Sequence, residues 1–126
     1  MKTKLEIINM VANHYNKKNR AKTDYGCRYI TDDGRMCAVG ICMTDGALED
    51  FKHHFGGVQS IAKSITKSGM EGSIDVLLKD EYKGHDLEFW SELQYFHDRE
   101  ILWDTKGLSE RGLNHYKKLK SFYNEQ

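Results

Sequence analysis

Several things are missing from this sequence, and each absence excludes a class of protein. It has no proline, where average usage of about 5% would give roughly six residues, so a Pro-rich linker is excluded and short connections are expected. No apolar run approaches the ~18 residues of a membrane span, and the segment Met1–Glu6 lacks the apolar core of a signal peptide. The formal net charge is +0, which leaves no overall footprint of nucleic-acid binding. We therefore expect a cytoplasmic protein with no membrane partner, and nucleic-acid binding is the least favoured class of function.

Cysteine is scarce as well, but it is concentrated in one place. The chain has three cysteines, an odd number without the spacing of a disulfide framework, so we expect reduced thiols. Cys27, Cys37 and Cys42 all lie in the segment 27–43, the densest run of small apolar residues in a polar sequence. At 126 residues the chain is long enough for one domain with its own core, and we predict a single domain over 1–126.

Hydrophobic periodicity predicts a mostly helical fold. Apolar residues at three- and four-residue spacing indicate helices over about 3–18 and 86–102 and a last helix after Ser109. Thr3 and Glu6 have the spacing of a capping box at the first of these. Shorter helices are predicted over 45–55, 58–65 and 73–82. The resulting prediction is an α+β fold with five or six helices packed around one small β element.

The β element is predicted at the thiol-rich segment. Residues 27–31 alternate like a short strand, and residues 32–35 contain an Asp-Gly turn in which Gly34 tolerates a positive φ. The run 36–43 has no polar residue and does not alternate. Because Ala38 and Gly40 are poor strand residues, we expect a short buried helix that starts near Cys37.

His14 and His97 lie on the apolar faces of the two longest predicted helices, and three interpretations are open for them. Both can be core histidines whose ring nitrogens bond to backbone or tyrosine partners. With Cys27 and Cys37 they can form a tetrahedral zinc site, although the tight C-x2–4-C pair of structural zinc sites is missing. The third interpretation is catalytic. We expect no cofactor, with zinc as the exception to be tested.

The catalytic interpretation makes Cys37 a nucleophile. A helix N-terminus and the cation of Arg35 both favour a thiolate. His97 would act as the base. Asp98 points about 100° away around a helix, so Glu100, three residues from His97, is the better carboxylate to support it.

Two segments resemble a family of uncharacterised small phage and bacterial proteins. The first combines Cys-Arg-Tyr at 27–29, Asp-Gly-Arg at 33–35 and Cys-Ala-Val-Gly at 37–40, and the second is Leu-Gln-Tyr-Phe-His-Asp at 93–98. The resemblance implies a phage or prophage protein that acts inside the bacterial cell. It implies no particular activity, and residues 51–86 show no known motif.

The leading functional prediction is a binding or regulatory protein that is not an enzyme. It would engage a host component, either a protein or a small anionic metabolite, and counter-defence is one role open to such a protein. A small cysteine-dependent enzyme that uses Cys37 and His97 is the alternative. The candidate binding residues are those expected on exposed faces: Arg28, Tyr29, Arg35, His53, His54 and Lys63.

Overall fold

Helices dominate the structure. A computed structural model describes residues 1–16, 18–20, 22–23, 26–27, 29–31, 34–51 and 74–123, with the backbone alone at 22–23 and 26–27. The α-helices in these ranges are α1 (Lys4–His14), α2 (Asp45–Phe51), α3 (Leu87–Asp98) and α4 (Glu110–Tyr123). Short 3₁₀ helices lie at Gly40–Cys42, Asp75–Leu77, Asp80–Tyr82 and Glu100–Leu102. Two antiparallel pairs complete the described elements: β1 (Lys22–Thr23) with β2 (Gly26–Cys27), and β3 (Trp103–Asp104) with β4 (Gly107–Leu108). The prediction of an α+β class dominated by helices is confirmed.

The number of helices differs from the prediction. Within the described ranges there are four α-helices, whereas five or six were expected for the whole chain. The predicted helix over 73–82 is replaced, from residue 74 onward, by two separate 3₁₀ helices. The predicted helix over 58–65 lies outside the described residues.

Helix α1 begins as its sequence predicts. Glu6 N donates a hydrogen bond to Thr3 Oγ1 at 3.1 Å, and Thr3 N donates one to Glu6 Oε1 at 3.0 Å, so the capping box is complete. The helix ends at His14, four residues earlier than predicted. His14 is exposed, so its predicted place on the buried face is wrong. The side chains that α1 buries are Ile7, Ile8, Val11 and Ala12.

The turn in the thiol-rich segment also forms as predicted. Thr31 N donates to Arg35 O at 2.8 Å, and Gly34 N donates to Thr31 O at 3.0 Å. An antiparallel bridge joins Ile30 to Met36 on either side. Gly34 has φ +87°, a conformation that glycine adopts without a Cβ penalty.

The chain after this turn packs tightly against Tyr29. Cys37 N donates to Tyr29 O at 3.1 Å. Gly40 approaches the same carbonyl so closely that an added Cβ would lie 3.1 Å from the Tyr29 carbonyl carbon and nearer still to its oxygen. The predicted short buried helix is present as a 3₁₀ helix, Gly40–Cys42, which starts three residues after Cys37.

Helix α3 is shorter than predicted at its C-terminus. Asp86 caps its N-terminus by accepting a hydrogen bond from Phe89 N at 3.2 Å. The helix ends at Asp98, and the chain then turns through a 3₁₀ helix instead of continuing to Leu102. As a result Ile101, which lies within the predicted helix, is 47% exposed in the 3₁₀ helix.

The residues after α3 form a small hairpin that the sequence interpretation treated as a plain connection. Trp103 is buried in β3, and its Nε1 donates to Phe96 O at 3.0 Å. Ser109 N donates to Leu102 O at 2.9 Å just before α4 begins. Gly112 lies directly against that Leu102 carbonyl, which leaves no room for a Cβ. These contacts fix the start of α4 against the end of α3.

One hydrophobic cluster joins the helices. Helix α3 contributes four fully buried side chains to it: Trp90, Phe89, Phe96 and Leu93. Helix α4 closes over α1, where Tyr116 Oη donates to Asn9 Oδ1 at 2.5 Å. The first and last helices of the chain therefore pack together.

Candidate functional site

The thiols in the described part of the site are sealed in the core. Cys37 has 0% exposed surface, and its Sγ accepts a hydrogen bond from Gly40 N at 3.2 Å. Cys42 is equally buried, and its Sγ donates to Ala38 O at 3.5 Å. Burial raises the pKa of Cys42, and the neighbouring Cys37 raises it further. Both sulfurs have backbone partners, and neither is placed to attack a substrate from solvent.

Tyr15 contacts both His97 and the backbone next to Cys37. Its ring meets the His97 ring edge to face, with centroids 4.7 Å apart. Its Oη donates to Met36 O at 2.7 Å, next to Cys37 in the chain. Burial raises the pKa of Tyr15, and the nearby thiols add to that shift. In the part of the chain that the structure describes, no hydrogen bond joins Cys37 Sγ to the His97 ring, so the proposed nucleophile and base do not form a pair.

His97 pairs with Asp98, and the prediction that Glu100 supports it is wrong. His97 Nδ1 lies 2.8 Å from Asp98 Oδ1. The angle of about 100° between consecutive helical residues describes Cα–Cβ directions only. At the end of α3 the short Asp98 side chain turns back and reaches the neighbouring ring. Glu100 is exposed in the following 3₁₀ helix.

The His97 ring is held in its neutral form by its surroundings. It is 1% exposed, and burial lowers its pKa below the ordinary value. The hydrogen bond to Asp98 opposes this shift, whereas the positive charge of Arg20 strengthens it. Among the described residues its Nε2 has no hydrogen-bond partner. The exposed His14 joins the same group through Tyr15, whose ring centroid lies 4.6 Å from that of His14.

Arg20 is the functional candidate that sequence reasoning missed. It lies in a polar and basic stretch of the sequence, yet it is only 2% exposed. Its Nη1 donates to His97 O at 2.9 Å and to Asp98 O at 3.2 Å, so it binds the last carbonyls of α3. Cations are favoured at helix C-termini. Burial lowers the pKa of Arg20, and the acids Glu100 and Asp98 oppose that change.

One edge of the Arg20 guanidinium is left without a partner. Neither Nε nor Nη2 has a hydrogen-bond acceptor within the described residues. These two nitrogens lie side by side and present parallel N–H bonds, the geometry that matches both oxygens of a carboxylate or phosphate. Arg35 contacts the backbone of the same residue, because its Nη1 donates to Arg20 O at 3.0 Å. The side chain of Arg20 thus reaches the C-terminus of α3, and its carbonyl accepts a hydrogen bond from Arg35.

The predicted binding residues have mixed outcomes. Arg35 is partly exposed beside Arg20, as a binding residue would be. Tyr29 is fully buried, so its side chain presents no surface to a partner, contrary to prediction. Its backbone instead holds the Cys37 turn. The remaining candidates lie outside the described residues: Arg28, His53, His54 and Lys63.

The zinc hypothesis gains no site from the described side chains. Among them, no group of three or more histidine, cysteine and acidic residues lies close enough together to hold a metal ion. Of the proposed ligands, His14 is exposed, Cys37 is sealed, and the His97 ring packs against the ring of Tyr15. The Cys27 side chain lies outside the described residues.

Comparisons with known proteins add no relative: no family model, no curated protein and no solved structure matches this chain. In the residues that the structure describes, none of the helices has the length and apolar character needed to cross a membrane. The function proposed below therefore rests on the geometry of the chain's own residues.

Proposed function

We propose that this protein is a non-catalytic binding protein that takes a small anion, a carboxylate or a phosphate, at Arg20. One observation carries the proposal: the Arg20 guanidinium is buried while one of its edges has no acceptor among the described residues. Burying a charged group without a full set of hydrogen bonds costs several kcal/mol by general estimates, roughly 3–5. An anion on that edge would remove the cost.

The geometry around Arg20 favours an anion over other ligands. Nη1 is fixed on the carbonyls of His97 and Asp98, and this fixes the plane of the guanidinium. The Asp98 carboxylate is already engaged with the His97 ring at 2.8 Å. A ligand oxygen pair would therefore meet two pre-oriented N–H bonds.

The same surroundings disfavour the alternative, a cysteine-dependent enzyme. Its nucleophile would need contact with solvent and with a base, but Cys37 is sealed, and among the described residues no hydrogen bond joins it to His97. The resemblance to small phage proteins is the basis for proposing that the anion is a metabolite of a bacterial host. On that basis, sequestering a host metabolite is the form of counter-defence that we propose.

Thermal unfolding in different anions tests the proposal. Phosphate, sulfate and acetate are titrated against chloride at matched ionic strength, with wild type, Arg20→Lys and Arg111→Lys in parallel. A ligand at ten times its dissociation constant should stabilise the wild type by about 1.4 kcal/mol. Arg20→Lys keeps the charge and one bond to α3 but loses the two-nitrogen edge, so it should lose this stabilisation.

The control separates binding from general salt effects. Arg111 is an exposed arginine on α4, and its substitution should leave the anion response unchanged. Sulfate and phosphate also stabilise proteins by exclusion from the surface, and that part should be equal in all three proteins. An anion response that is the same in wild type and Arg20→Lys would refute the proposal.

A further inference from the structure

A second feature, remote from Arg20, lies between α3 and α4. The two helices enclose a groove of about 290 Å³. Its floor is apolar, formed by Leu119 and Tyr123, which are 6% exposed each. Phe122 stands at its margin with 68% of its surface exposed, the highest value of any large apolar residue within the described part of α3 and α4. An exposed aromatic next to an apolar groove is typical of an interaction surface.

The two sides of the groove carry opposite charges. Glu88 and Glu92 line the α3 side, and Lys118 lines the α4 side. All three are exposed, and none of them takes part in an ion pair within the described residues. Burial and the negative charge of these two acids together raise the pKa of Tyr123, on the floor of the groove, to about 12. These charges are available to a partner.

We infer that two copies of this chain associate through this groove, each placing Phe122 on the floor of the other. A twofold axis brings the same surface of both copies together. In that arrangement Lys118 of one copy faces Glu88 and Glu92 of the other, so both charged sides are paired. A ligand of one charge sign would leave one side unpaired, whereas a second copy supplies both signs and the aromatic side chain.

The overall charge of the chain permits this association. Its formal net charge is +0, so two copies do not repel each other at long range. The interface is independent of Arg20, which lies at the opposite, C-terminal end of α3. A dimer of this kind would therefore not cover either Arg20.

Sedimentation velocity over a series from micromolar to millimolar protein tests the inference. The wild type should show a concentration-dependent monomer–dimer equilibrium. Phe122→Ser should raise the dissociation constant by about 30-fold, as for a central aromatic at an interface. Lys118→Glu should raise the dissociation constant by about tenfold, because the new carboxylate then faces Glu88 and Glu92 of the other copy. Adding Glu92→Lys to Lys118→Glu should restore the dissociation constant to within about threefold of wild type.

The control is Leu113→Ser. Leu113 is 44% exposed and nine residues before Phe122, which places it on the opposite face of α4. It should leave the dissociation constant unchanged, and urea unfolding of each variant shows that it is folded. A wild type that stays monomeric at all concentrations would overturn the inference. A dimer that persists with Phe122→Ser, or a groove that binds a different protein while this chain stays monomeric, would overturn it as well.

Discussion

Gly40→Ala should destabilise the protein by about 3 kcal/mol, because the Gly40 position has no space for a side chain. The added Cβ would lie 3.1 Å from the Tyr29 carbonyl carbon, where carbon atoms normally sit about 3.5–4.0 Å apart. The oxygen would be nearer still, so the backbone at Tyr29 must move. That movement breaks the hydrogen bond from Cys37 N to Tyr29 O, now 3.1 Å long. Overpacking costs about 1–3 kcal/mol and a buried unsatisfied N–H a further 1–3, and partial relaxation brings the total to the lower half of that sum.

Gly46→Ala is the matched control, with the opposite expected sign. Gly46 is exposed in the first turn of α2, and no atom lies within 4 Å of its added Cβ. Alanine is favoured over glycine in helices by about 0.5–1 kcal/mol, so this variant should be more stable than wild type. Urea unfolding followed by circular dichroism measures both free energies under the same conditions.

Similar changes in the free energy of unfolding for Gly40→Ala and Gly46→Ala would contradict the argument from the close approach at Gly40. If Gly40→Ala cost less than about 1 kcal/mol, the Tyr29 turn would not be the rigid centre of the fold that the close approach implies. The thiols would then be free to become exposed, and the argument against a cysteine-dependent enzyme would lose its main support.

Three further predictions concern the buried side chains around Tyr15. Lowering the pH below about 6.5, the ordinary pKa of histidine, should destabilise the protein, because burial makes His97 harder to protonate when folded than when unfolded. The slope should approach about 1.4 kcal/mol per pH unit, and His97→Gln should reduce it in urea unfolding at a series of pH values. Alkylation of Cys37 and Cys42 should be no faster than unfolding at both pH 6 and pH 8, as measured by mass spectrometry of peptides. Tyr15→Phe should lower the free energy of unfolding by about 1 kcal/mol, because the carbonyl of Met36 loses its donor.

Each of these has a result that contradicts it. An unchanged slope in His97→Gln would assign the acid sensitivity to other groups, such as His115, whose pKa burial also lowers. Rapid alkylation of folded Cys37 at pH 6 would revive the enzyme hypothesis. A Tyr15→Phe protein as stable as wild type would mean that the hydroxyl contributes nothing through its bond to Met36.

Local signals in the sequence predicted local structure well. The capping box at Thr3 and Glu6 and the turn at Gly34 each depend on residues a few positions apart, and each is present. The buried run around Gly40 was also predicted as a short helix, although a 3₁₀ helix forms. Such features follow from backbone chemistry that a short window of sequence contains.

The candidate site depended on contacts that no local pattern reports. Arg20 bonds to His97 across 77 positions of sequence, so its burial could not be inferred from its polar neighbours. The pairing of His97 with Asp98 was missed because the helix was expected to continue beyond Asp98, where it ends. His14 was expected to be buried from helical periodicity, but it is the last residue of α1, where one face no longer packs on a neighbour.

The packing of α1 against α4 has a consequence for synthesis on the ribosome. Asn9 is made early, yet its partner Tyr116 follows 107 positions later. The part of the α1 surface that α4 covers cannot be buried until α4 has left the exit tunnel. The nascent chain therefore exposes this surface while the segment between the two helices is synthesised, so the contact between α1 and α4 forms later than the contacts within α1.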